Sequence, residues 1–462
     1  MDIFGKLKEF GVSDAQASFH SKIAEWKGWY VGDVKKFTWY KVRTGKNTVK
    51  CKRNSLGMAK KLCEDWANLL MNEKVHITLE GENEQKFIDA VFEQNNFFVK
   101  SNEMQELKSA LGTVAYVPRV VGQQENGLAQ ALRIDYVTAE YIAPISWSNG
   151  VVNECVFFST KQIKGKEYVY FQIHKKDEFG DYIIENKLCE KQNEQLTDVD
   201  INSVDGFETL PERVHTKSKQ RQFVIDRLNI VNNYDYTLPM GVPVFANALD
   251  VLRGVDIAFD SYVNEFVLGK KRIMVKPSAT KFIDGEPVFD EDELVFYVLP
   301  EDSSDESSIT AIDMQLRTEE HNRGIQDQLN LLSSKCGFGE NHYKFDGGSV
   351  ATATQVVSEN SALFRTLKKH EIILESVLVE LCRIILRLGN AAMNAGLNED
   401  VEISIDFDDS IIEDKESDFN RDCRLLQMGI LNDWEFRMKW MNEDEQTAKA
   451  ALPKMETLVS DE

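Results

Sequence analysis

The sequence predicts an α+β subunit: a sheet-and-helix lobe from which two helices lead out to a small β insert and back. Three observations predict this. In the first half, Ala115–Val121, Ala131–Tyr136, Ile142–Trp147, Val151–Ser159 and Tyr168–His174 each alternate apolar and polar residues between turn residues. Period-two alternation marks half-buried strands, and helices beside them make a mixed or antiparallel sheet with helical flanks. Next, Ala248, Leu252, Val255, Phe259, Tyr262 and Phe266 recur at helical spacing up to Gly269-Lys270-Lys271-Arg272, and a second helix is expected around Asp313–Lys335. Finally, Leu363, Leu367, Leu374, Leu378, Leu381, Ile385 and Leu388 recur in steps of three, four and seven, the mark of a buried helical seam. That helix can run unbroken from Ser349 to about Asn394, roughly 65–70 Å at about 1.5 Å per residue.

The remaining elements follow in order. Trp26, Trp29, Tyr30, Phe37, Trp39 and Tyr40 crowd the first segment, and Lys41, Arg43, Lys46, Lys50, Lys52 and Arg53 come after them. Thr44-Gly45-Lys46-Asn47 reads as a hairpin turn. Aromatics among cations can form a nucleic-acid platform; the reading preferred here is an arm packing its aromatics onto a neighbouring lobe or subunit. Asn54 to about Glu73 is helical in pattern, Val75–Leu79 a strand, and Gln85–Gln94 and Met104–Gly112 helices. Gln195–Lys219 is polar and weakly patterned, as a long loop would be. Prolines at Pro239 and Pro243 suit the entrance to the first long helix. The insert has strand candidates at Arg272–Val275 and Leu294–Leu299. No Lys or Arg falls between Lys281 and Arg317, while Asp284, Glu286, Asp290, Glu291, Asp292, Glu293, Glu301, Asp302, Asp305 and Glu306 do. Charge of one sign means either solvation or a docking face for a basic partner. Val401–Phe407 alternates as a strand, and short helices in an acidic lobe are expected from Ile411 onward.

At 462 residues the chain can bury a large core divided among two to four lobes. No apolar run reaches the roughly 18–20 residues of a membrane-spanning helix. The N-terminus lacks the pattern of a secretory signal, so a cytosolic origin is expected. Seven scattered cysteines with no C-x-x-C pair argue against a disulfide framework and structural zinc. A net charge of −22 disfavours tight nonspecific nucleic-acid binding, yet suits a wall past which DNA slides without sticking.

Motifs for chemistry are missing. Leu268-Gly269-Lys270-Lys271 lacks the upstream glycine and the hydroxyl residue of a phosphate loop. Gly337-x-Gly339 follows no βαβ strand, and His370-Glu371 has no second histidine a turn later. Asp406-x-Asp408-Asp409 at a strand end is a candidate for a hard cation, and Asp198-x-Asp200 a weaker one. No cofactor is called for.

Three stretches carry a resemblance. They are Val267-Leu268-Gly269-Lys270-Lys271-Arg272-Ile273 before the acidic insert, Lys344 to Val356 through Gly347-Gly348, and Gln427-Met428-Gly429-Ile430-Leu431-Asn432-Asp433-Trp434 near the end. In their order the chain resembles the portal proteins of tailed bacteriophages, those of siphophage type from Gram-positive hosts above all. That resemblance implies an N-terminal arm over 1–53, an α+β wing over 54–243, a first stem helix over 244–272 and a clip over 273–312. It further implies a second stem helix over 313–336, a tunnel loop over 337–348, a long wing helix with a returning strand over 349–410, and a crown over 411–462. The implied activity is not enzymatic. It is a ring, typically of twelve subunits, at one capsid vertex, guiding double-stranded DNA during packaging and ejection. The implied partners are the terminase large subunit, connector or adaptor proteins, and the major capsid and scaffold proteins, with no membrane. The implied location is the virion, after assembly in the host cytoplasm.

Phe338, Glu340, Asn341, His342, Tyr343, Lys344 and Phe345 are expected to line the narrowest part of the channel. Lys270, Lys271 and Arg272 are expected at a stem-clip junction, touching phosphates or satisfying the helix dipole. Glu291, Asp292, Glu293, Glu301 and Asp302 are expected on the docking face. Two alternatives stand beside this reading: a capsid-associated or scaffold protein without a channel, and a metal-dependent enzyme centred on Asp406–Asp409.

Overall fold

The computed structural model describes residues 2–44, 47–72, 75–123, 128–269, 272–275, 282–283, 286–287, 296–298, 309–312, 315–345, 353–407, 415–441 and 443–451. Two helices open the chain, α1 (Ile3–Glu9) and α2 (Asp14–Val31). Ser13 accepts from the Gln16 N–H at the start of α2, and Gly32 closes it at φ +77°, a side-chain cap at one end and a left-handed glycine at the other. Phe19, Ile23, Trp26 and Trp29 of α2 are buried in the main core. These aromatics therefore pack onto the adjoining lobe of the same chain. Beyond them β1 (Trp39–Thr44) and β2 (Asn47–Lys52) pair antiparallel up to Thr44 opposite Asn47; Gly45 and Lys46, where a turn is expected, lie outside the described residues.

A sheet-and-helix lobe follows: α3 (Met58–Leu70), β3 (His76–Leu79), α4 (Glu82–Gln94) and α5 (Phe97–Leu111). Strands β4 (Thr113–Gln123), β5 (Ala129–Thr138), β6 (Ile142–Ser148), β7 (Val151–Ile163), β8 (Lys166–Lys176) and β9 (Tyr182–Gln192) come next. The segment expected as a long loop instead holds β10 (Gln195–Val199) and β11 (Arg213–His215), both antiparallel to β9. Both are short and largely exposed, so no buried face imprints an alternation on their sequence. With β12 (Val224–Arg227) the lobe has one sheet ordered β10-β9-β8-β7-β6 and a second ordered β12-β4-β5. All their pairings are antiparallel.

The chain leaves this lobe through Leu238–Pro243. There Gly112 and Gly241 let two backbones pass: a Cβ on Gly241 would stand 2.2 Å from the Gly112 carbonyl oxygen. Gly112 is also left-handed, at φ +86°. The first long helix, α6, spans Leu249–Leu268 after one 3-10 turn. In the insert, β13 (Arg272–Val275) lies between β16 (Phe296–Val298) and β17 (Ile309–Ile312). A separate pair joins β14 (Phe282–Ile283) to β15 (Glu286–Pro287). The second long helix, α7, is Thr318–Lys335.

Helix α8 runs unbroken over Ala353–Met393, 41 residues or about 60 Å. Leu363, Leu367, Leu374, Leu378, Leu381, Ile385 and Leu388 are all buried, as the seven-residue recurrence requires. The helix packs on β12, β4, β5 and α3, and the main core lies between them. Strand β18 (Ile403–Asp406) returns to pair with β3. Helices α9 (Lys415–Gln427), α10 (Asp433–Met441) and α11 (Glu445–Ala450) complete the described chain.

Candidate functional site

Helices α6 and α7 lie antiparallel. Lys335 donates to the Asn247 carbonyl at 3.2 Å at one end. Midway, Gly254 faces the Gln328 amide. Towards the insert, the Tyr262 and His321 rings stand 6.1 Å apart, and Arg317 forks onto Glu265 at 3.0 and 2.8 Å. One residue number rises as its partner's falls, so the pair is in register along its length. The Arg317 guanidinium holds the Glu265 carboxyl down at about 2, with the Arg317 N–H and His321 helping. Leu252, Val255, Ile325, Leu329 and Leu332 are buried. Ile257, Phe266, Val267, Leu316 and Leu331 are left exposed on the outside of the pair.

The loop after α7 begins by turning inward. Gly337 is left-handed at φ +88°, and a Cβ there would meet Thr366 Cγ2 at 2.7 Å. Phe338 drops into the core, its ring 4.9 Å from Trp66 and 4.6 Å from His342. Trp66 Nε1 donates to the Cys336 carbonyl at 3.1 Å. His370 meets the Trp66 ring edge-on at 5.2 Å, and its burial pulls its pKa down to about 3. Tyr343 donates to Asp65 at 2.7 Å, and burial pushes its phenol pKa well up. Gln326 clamps the far end, donating to the Tyr343 carbonyl at 2.8 Å and accepting from the Phe345 N–H at 2.8 Å. Phe345 then rests on Tyr262 of α6 at 5.7 Å.

This corrects the expectation for Phe338, which is only 2% exposed and lies in the main core. The reason is hydrophobic: a large apolar ring beside Trp66, after a glycine that lets the chain reach it, is more stable buried. Tyr343 and Phe345 are half-buried, and Asn341 is intermediate and left-handed at φ 63°. Glu340, His342 and Lys344 are exposed. The sequence carried the signal for the inward turn in Gly337-Phe338, but its docking partner, Trp66, lies far away along the chain.

Other expected residues are placed less fully. Arg272 opens β13 opposite Ile312. Lys270, Lys271, Glu291, Asp292, Glu293, Glu301 and Asp302 lie outside the described residues. Asp406 pairs across the strands with His76, while Asp408 and Asp409 also lie outside. Among the described residues no group of three His, Cys, Asp or Glu gathers as a metal site. Asp198 is engaged by Lys6 at 2.8 Å and by the Cys189 thiol, and Asp200 caps a turn at Asn202. No helix of the described residues is long and apolar enough to cross a membrane.

One feature escaped sequence reasoning. Lys108 and Asp226 form a fully buried ion pair at 3.0 Å, with Gln105 donating to the same carboxylate at 2.8 Å. It ties α5 to β12 ahead of the passage into α6.

Comparison with known proteins points one way. A family model described as "Phage portal protein, SPP1 Gp6-like" matches residues 12–452. No curated protein matches. Among solved structures, the neck of an empty gene transfer agent particle computed with C6 symmetry is similar at 11% identity and TM-score 0.43, covering 82% of this chain and 89% of that one. The virion of a native gene transfer agent particle gives 12% identity and TM-score 0.39, covering 82% and 88%. The neck of a native particle computed with C12 symmetry gives 10% and 0.39, covering 84% and 90%. No residue assignment rests on these three likenesses.

Proposed function

The chain belongs to the SPP1 Gp6-like family of phage portal proteins and serves as a portal, and we propose that its α6–α7 hairpins stand side by side in a closed ring around a DNA channel. As a portal protein it is a component of the phage particle. The observation that carries the ring reading is the stem itself. Two antiparallel helices bear a small β insert at their far end and leave Ile257, Phe266, Val267, Leu316 and Leu331 uncovered. A two-helix projection cannot bury both its sides alone, and heterologous contacts that close by rotation would cover them.

In this reading twelve subunits form the ring, at one vertex of the capsid. The β insert over 273–312 is the clip. Its acidic residues receive the basic face of the terminase during packaging, and connector proteins afterwards. Capsid and scaffold proteins meet the outside of the ring, which assembles in the host cytoplasm. The portal catalyses no reaction; a separate motor supplies the force.

Channel lining in the loop falls to Glu340, His342 and Lys344, because Phe338 and Tyr343 anchor its base to α3. Deleting 338–345 would remove core side chains, so substitution of the exposed residues is the cleaner test. Glu340→Ala, His342→Ala and Lys344→Ala together should leave ring assembly unchanged, at a small cost in thermal stability from the lost His342–Phe338 stacking. DNA packaged per particle should fall, as read by quantitative PCR of nuclease-protected genomes. Full packaging by the triple variant would remove the loop from the channel.

A further inference from the structure

The β1–β2 hairpin has two unlike faces. Its register sets Trp39 opposite Lys52, Lys41 opposite Lys50, Val42 opposite Val49 and Arg43 opposite Thr48. Side chains alternate across a strand pair, so Lys41, Arg43, Lys50 and Lys52 share one face with Trp39. Val42 and Val49 share the other with Tyr40 and Cys51. Lys50 lies over the Trp39 ring at 4.3 Å and Lys52 at 6.0 Å, in keeping with that division. All four cations are exposed, as are Val42 and Val49. Among the described residues none of the four cations has a carboxylate partner; the nearby ion pair belongs to Arg53, with Asp260. Like charges directly opposite, as at Lys41 and Lys50, destabilise a strand pair, and an isolated two-stranded hairpin is marginal in water. Such a ribbon needs an anionic surface beside it.

The placement of the hairpin says where that surface is. Its base sits on α6: Asn54 donates to Asp260, Ser55 and Leu56 donate to Asp256, and Tyr40 reaches Asn264. Asp256, Asp260 and Asn264 follow one another at four-residue steps on one side of the helix. Gly254, Tyr262 and Glu265, which face α7, lie on roughly the opposite side of a helix with about 3.6 residues per turn. The hairpin and α7 therefore flank α6 from opposite sides. They do so at one level, since Tyr262 and Glu265 meet His321 and Arg317 of α7.

In a ring whose stems stand along the axis, rotation keeps height unchanged. The hairpin of one subunit then faces the outer side of α7 in the next. That side exposes Glu319, Glu320 and Asp327, with Leu316 and Leu331 and a single cation, Arg323. We propose that the β1–β2 hairpin is a cationic clasp that docks onto the outer face of α7 in a second copy of this chain. Lys41, Arg43, Lys50 and Lys52, which share one face of the ribbon, meet Glu319, Glu320 and Asp327. Opposite charge fixes the partner and its register more than it adds raw affinity. The proposal rests on the ring reading above.

The test uses the full chain with Lys41→Glu and Lys50→Glu together, and native mass spectrometry across a dilution and salt series. Both positions are exposed, so the monomer should keep its far-UV circular dichroism. At low salt the concentration at which rings dissociate should rise about tenfold or more, the scale of two surface ion pairs turned repulsive. Adding Glu320→Lys and Asp327→Lys should restore the rings. Wild-type assembly by the Lys41/Lys50 variant overturns the clasp, and so does absence of rescue. Rings of unchanged stability that lose DNA binding would hand the cationic face to DNA and overturn it equally. A wild-type chain that forms no ring in the control overturns the ring reading itself, before any variant is measured.

Discussion

Lys108 and Asp226 are buried completely, and each is tolerable only because of the other. Burial pulls the Lys108 pKa down and the Asp226 carboxylate pulls it back. Asp226→Ala should therefore cost about 3–5 kcal/mol in urea unfolding, because it strands a cation in the core. Asp226→Leu with Lys108→Met should cost far less. A loss under about 1 kcal/mol for Asp226→Ala would show that the site is wetter than its burial implies. Phe338→Ala should likewise cost about 3–5 kcal/mol, whereas Lys344→Ala should leave the melting midpoint where it is. Equal stability of the Phe338 and Lys344 variants would contradict the anchored loop. Neither pairing was legible in the sequence. A lysine in a helix reads as solvated, and the partner of Lys108 lies 118 residues away. Phe338 between two glycines reads as a loop tip until Trp66 is seen beside it.

Elements with a strong period were legible. The apolar repeats of α6 and α8 gave their positions to within a few residues, since packing on one face imprints spacing on the chain. Helix α2 was not expected, although Phe19, Ile23 and Trp26 keep helical steps between Ser13 and Gly32. Its aromatics and the following cations suggested an arm and drew the reading away from spacing. Strands β10 and β11 left no signal because they are short and largely exposed. At this scale the Arg317–Glu265 fork gives a prediction. Glu265 holds its proton more weakly in the folded chain than a free carboxylate with a pKa of 4.5. Its contribution is thus present above about 4.5 and lost as pH falls towards about 2. Hydrogen exchange in α6 and α7 should accelerate through that window. Glu265→Gln should flatten the acid dependence while leaving α8 unaffected. The effect will be modest, since Arg317 is largely exposed. An acid limb of the same steepness in the variant would place the pH sensitivity elsewhere.

At the scale of the whole molecule, the chain is a sheet-and-helix lobe with an antiparallel pair of helices whose exposed apolar residues nothing among the described residues covers. In the proposed ring a net charge of −22 would make assembly depend on salt, because like-charged subunits repel over a Debye length of about 10 Å at 0.1 M. The most direct measurement is electron microscopy of the purified chain at moderate salt, with native mass to count subunits. The account predicts rings with a central channel and a narrow stalk, twelve subunits in each. A closed dimer with its stem helices packed against each other, and no hole at any salt concentration, would contradict it.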